Sequence, residues 1–133
     1  RGALLSFSFA GMVYFEGAAH PSSSMRGITF DSRTGDEILL EDLFLPGTDW
    51  RDAVNWLVSC EIDRQVEEEG LMVFDDEEYP DVLEYSDQFF LRPGELVLFW
   101  TDTQFTPHAS GQPEFALQIG DLEQYLRPEY SSW

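Results

Sequence analysis

The chain has 133 residues and sets 26 acidic side chains against seven basic ones, a formal net charge of −19, with length for the core of one domain and not of two. All seven basic residues are arginine; the lack of lysine excludes Schiff-base chemistry and a P-loop lysine, and so acidic a field excludes nucleic acid, which is bound through cations. Aromatic residues make up 15% of the chain, a load that excludes a disordered acidic tail and predicts a globular domain.

In chain order, residues 3–15 read as a long strand. Leu5, Phe7 and Phe9 alternate with Ser6 and Ser8, the period of a strand with one buried face. Gly11 marks a bulge or bend within it. Strand-like residues begin at Ala3, and the chain opens at Arg1 with no initiator Met, which suggests a fragment of a longer protein. Residues 16–24 are small residues, His and Pro, the chemistry of a loop. A second strand follows from Met25 to Phe30, then a turn over residues 31–36 with Gly35 at the positive φ. Glu37 to Leu43 reads as a returning third strand, so residues 25–43 form an expected hairpin.

Pro46-Gly47 breaks the chain before a helix over residues 49–69. Trp50, Ala53, Val54, Leu57 and Val58 recur at spacings of three and four and form its apolar stripe. Gly70 is placed to stop it, and Glu67, Glu68 and Glu69 crowd the negative pole of its dipole, which predicts fraying. Leu71 to Tyr79 is an exposed stretch containing Asp75-Asp76-Glu77-Glu78 and ending at Pro80. A second hairpin runs from Gln88 to Leu91 and from Leu96 to Trp100 around Pro93-Gly94; it is apolar on both faces, as a central strand pair would be. Residues 101–113 form a polar loop, Glu114 to Ile119 a last strand, and Leu122 to Leu126 a short helix capped by Asp121 and ended by Pro128. The sum is one α+β domain over residues 1–133, an antiparallel sheet of about five to six strands with one long helix (about 49–69) packed across it.

No reaction is written in these elements. His20 and His108 each stand beside a proline in a loop; with Asp102 or Glu16 they could hold a metal, but the spacing of a zinc site is lacking, so no metal and no cofactor is expected. Loop histidines that brace a turn are the commoner case. The single Cys60 permits no internal disulfide and reads as a small apolar side chain beside the helix stripe. The serines at 22–24 and 110 lack a Gly-x-Ser-x-Gly setting. Asp75 to Glu78 lacks the alternation of a calcium loop and reads as a solvated acidic face that could dock a basic partner. No run of about 18 apolar residues exists to insert into a membrane. The field favours a cationic protein or a metal cation as partner, or serves solubility alone.

Tyr14, Gly17 to Pro21, Thr29 to Asp31, Thr34-Gly35 and Leu40 to Phe44, followed by Pro107-His108-Ala109-Ser110-Gly111, together resemble a known pattern. It is that of the RsiV-like domain of unknown function, the C-terminal domain of the RsiV anti-sigma factor, which also stands beside the catalytic domain of PdaC-type peptidoglycan deacetylases. The resemblance runs from about residue 5 to 127; His108 departs from it, standing where the pattern has an aromatic. It implies an extracytoplasmic α+β domain without known catalytic residues, and in RsiV itself a receptor for lysozyme. It marks His20, Pro21, Pro107, His108, Ser110 and Gly111 as candidate partner contacts. The reading it supports is a non-enzymatic binding or sensing domain of the bacterial cell envelope, engaging a cationic protein or peptidoglycan. A wall hydrolase using His20 and His108, and a structural module beside a further domain, are the alternatives.

Overall fold

The fold is given by a computed structural model that describes residues 4–74, 79, 81–82, 88–100 and 106–133. It is α+β, as expected, with antiparallel pairing and one long helix among the described residues, but the five strands described divide into two sheets. Strands β1 (Leu4–Val13) and β2 (Ser22–Asp31) form a two-stranded ribbon; β3 (Phe89–Arg92), β4 (Glu95–Phe99) and β5 (Glu114–Gln118) form a three-stranded sheet with β4 in the middle.

The ribbon pairs Leu4 with Asp31 through to Val13 with Ser22 in unbroken register. Gly11 sits opposite Ser24 within that ladder, so it makes no bulge, and residues 22–24 belong to the strand and not to the loop. The glycine that matters is Gly27. A Cβ added there would lie 1.7 Å from the carbonyl oxygen of Phe89; β2 therefore crosses directly against the backbone of β3, a contact only glycine permits. Ser6 and Thr29 seal the crossing. Their hydroxyls are 2.8 Å apart, and the Leu91 amide donates to Ser6 Oγ at 2.9 Å.

The turn after β2 forms as its residues dictate, with Gly35 at φ +81° and its amide donating to the Asp31 carbonyl. The returning strand does not. Pairing extends only to a bridge between Phe30 and Glu37 and the Ile38 amide on Thr29 O, after which Leu40–Leu43 coils into a 3-10 turn. Leu40, Leu43 and Phe44 are all fully buried, and an alternating strand could not turn three such near-consecutive side chains to one core.

Helix α1 (Trp50–Arg64) continues through a π-helical turn at residues 65–69 and stops at Gly70, φ +72°. Val54, Val58 and Ile62 are its innermost residues; Trp50 and Leu57 flank them. Fraying is not what the structure shows: Arg64 pairs with Glu61, Glu68 and Glu69, holding the acidic end. The helix packs on one face of the three-stranded sheet, where Leu96, Leu98, Phe115 and Leu117 meet it. Phe90, Val97 and Phe99 point to the other face and pack with Met25 of the ribbon. The central hairpin is thus apolar on both sides because both sides are covered.

The chain ends in three 3-10 turns, at residues 119–121, 123–125 and 128–130, in place of the expected single helix. They bury Leu122, Leu126 and Tyr130. Trp133 closes the structure by donating its indole N–H to Glu95 O, while its carbonyl accepts from the Gly94 amide.

Candidate functional site

His20 lies in the loop joining β1 to β2, at the outer tip of the ribbon. Gly17 takes φ +87° there, the Ala18 amide donates to Phe15 O at 2.9 Å, and Tyr14 Oη donates to Ala18 O at 3.0 Å. Small residues let the loop fold onto itself, and the tyrosine fastens it. His20 is exposed, its Nδ1 3.3 Å from the carbonyl of Pro21.

The second set lies elsewhere on the body. Pro107 leads into a 3-10 turn, His108–Ser110, whose last amide donates to Pro107 O at 2.9 Å. Ser110 Oγ donates to Met72 O at 3.0 Å, and Gly111 leaves the turn at φ +69°. Ser110 thereby borders a polar groove of about 420 Å³ shared with Gln65, Glu69, Gly70 and Glu114 at the end of the helix. Gln65 anchors that wall: its Nε2 donates to Glu61 Oε1 at 3.0 Å and to Glu114 O at 2.8 Å.

Gln112 of this second loop lines a groove with Met12, Ser23 and Ser24 of the ribbon. A neighbouring groove of about 540 Å³ lies between Phe9, Met25 and Arg26 of the ribbon and Gln88. His20 lines neither. Apart from Gln88 and Gln112 the grooves are built from strand residues, which gave no motif to read.

Among the described residues no three His, Cys, Asp or Glu side chains cluster as metal ligands. Asp102 and the acidic run Asp75 to Glu78, both considered from the sequence, lie outside the described residues. Cys60 is exposed; it borders a shallow groove with Trp56, Leu57, Asp121 and Tyr125.

Five of the six described arginines are engaged. Arg33, Arg51, Arg64 and Arg92 each pair with carboxylates, and Arg127 donates to Phe44 O. Asp31 is nearly inaccessible, and the side-chain and backbone donors of Arg33, with Tyr130 Oη, hold its carboxyl far below the usual range. Arg64 likewise lowers Glu61. The Tyr79 hydroxyl donates to Asp63, which pushes it up to about 12. These groups brace the fold. None of them sits in a cleft as an acid and base pair would.

The family described as protein of unknown function (DUF3298) matches residues 41–119. A DUF3298 family protein from Pseudomonas aeruginosa PAO1 shares the fold with a TM-score of 0.66 at 17% identity over 98% of this chain and 59% of its own. A member of the same family from Bacteroides fragilis NCTC 9343 gives a TM-score of 0.70 at 17% identity, over 96% of this chain and 50% of its own. The chain thus spans half to three-fifths of those proteins. No curated protein matches it. Among the described residues no helix is long and apolar enough to cross a membrane.

Proposed function

The chain belongs to the DUF3298 family, and we propose that it is a non-catalytic ligand-binding or sensing domain of the bacterial cell envelope that engages a cationic protein, with lysozyme as the type of partner. The observation that carries this reading is the charge: 26 carboxylates against seven arginines, with four of those arginines already tied to carboxylates. What remains outside is an acidic field that draws cationic proteins and speeds their encounter. The resemblance to the RsiV-like domain supports the same choice and supports a location outside the cytoplasm. The exposed tip around His20 and Pro21, and the turn of Pro107, His108, Ser110 and Gly111, are the contacts this reading assigns.

Binding is tested by titrating the protein with lysozyme and with peptidoglycan at low and high salt. Exposed charge attraction is screened over a Debye length of about 10 Å at 0.1 M salt, so affinity for lysozyme should fall steeply as salt rises. His20→Ala and Pro107→Ala should weaken it further. No lysozyme binding even at low salt removes the reading. Turnover of wall sugar or peptide that disappears in His20→Ala or His108→Ala would replace it with a hydrolase.

A further inference from the structure

The alternation of Leu5, Phe7 and Phe9 with serine is real, but the apolar side is the outer one. The register places Leu5, Phe7, Phe9 and Val13 of β1 on one face with Phe30, Ile28 and Arg26 of β2. The opposite face carries Thr29, Gly27 and Met25, which lie against the three-stranded sheet. Leu5, Phe7, Phe9 and Val13 remain 52%, 48%, 60% and 50% exposed. Together they present roughly 400 Å² of apolar surface, at the limit of what a monomer leaves uncovered. Of the twenty ribbon residues only Arg26 and Asp31 are charged, on a molecule of net −19.

We propose that this face is the contact between two copies of the chain, packed ribbon on ribbon about a two-fold axis. Four features select a second copy as the occupant. A two-stranded face that carries a single charge is met with little charge burial by another of the same kind, in the aligned packing of two sheets. Arg26, the one charge on the face, has a stem long enough to lie along apolar neighbours while its head stays in water. The area of two such faces, on the order of 800–1,000 Å², is that of a weak reversible pair. Finally, the outer half of the ribbon is exposed along β1 from Phe7 to Val13, so it carries the contact away from the acidic body and lets the two bodies stand apart.

Salt then acts with a sign opposite to that of cationic-partner binding. Two bodies of −19 repel, and screening that repulsion strengthens the pair. Sedimentation of the protein between about 10 μM and 1 mM, at low and at high salt, should show a monomer–dimer equilibrium that moves toward dimer as salt rises. The double variant Phe7→Ser/Phe9→Ser should be monomeric throughout, with an unchanged Tm because neither ring belongs to the core. Trp56→Ser, which removes an exposed ring elsewhere, should dimerise as the parent does. A protein that is monomeric at high salt up to the highest concentration overturns the proposal and gives the face to a different polypeptide. Equal dimerisation of the double variant also overturns it. Neither result bears on lysozyme binding, which is read separately.

Discussion

Replacing Gly27 by alanine tests the crossing of the ribbon over β3. The added methyl would lie 1.7 Å from Phe89 O and 2.6 Å from its carbonyl carbon. Both are backbone atoms within a sheet, so no side-chain rotation relieves the clash; the ribbon must lift. Overpacking of this kind costs about 1–3 kcal/mol. Lifting also separates Ser6 Oγ from the Leu91 amide, and a buried donor left without its acceptor adds about 1–3 kcal/mol. The expected loss is therefore about 2–6 kcal/mol, a drop in Tm on the order of 10–25 °C for a domain of this size. Urea unfolding followed by tryptophan fluorescence measures it, and hydrogen exchange at the Leu91 amide locates it. A loss below about 1 kcal/mol, or a Leu91 amide as protected as in the parent, would refute the crossing as described.

The acid limb of the stability curve should be set by Asp31 and Glu61. Both carboxyls titrate lower in the folded state than in the unfolded chain, so their contribution is complete above about pH 4 and is lost as pH falls below it. Unfolding by urea across a pH series should show this, and Asp31→Asn should flatten the limb; an unchanged limb in that variant removes the assignment. At the alkaline end the bond from Tyr79 to Asp63 contributes fully below about pH 10 and is lost as pH rises through about 12. Tyr79→Phe should therefore lower stability at neutral pH and converge with the parent above pH 12, as thermal melts would show. Gln65→Ala removes two donated bonds from a nearly buried amide and should cost about 1–3 kcal/mol. A change within about 0.5 kcal/mol would show that Glu114 O finds another donor.

Local pattern was legible wherever one residue type decided a local conformation. Gly35, Gly70 and Gly94 take positive φ at the turns and the helix end that their neighbours call for, because no side chain there competes with the backbone preference. The helix follows from its periodicity, and the central hairpin from the Pro93-Gly94 turn between two apolar runs. The candidate contacts at His20 and at Pro107 to Gly111 were legible as loop chemistry, but not their surroundings: the groove beside Ser110 depends on the helix end arriving there, which no spacing encodes.

The alternation in β1 determined by itself that one side of that strand is apolar; it could not say which side meets the core. Burial is a relation between surfaces distant in the chain, and here Ser6 and Thr29, with Gly27, bring β2 onto β3 backbone to backbone, leaving no room for a large side chain at the crossing itself. The phenylalanines therefore face outward, and Leu40 to Phe44, a strand by composition, coils because its three largest side chains must reach one core. Length, acidity and the order of elements belong to the sequence. The two-sheet division and the exposed aromatic face were decided by the tertiary packing of residues whose own preferences were satisfied either way.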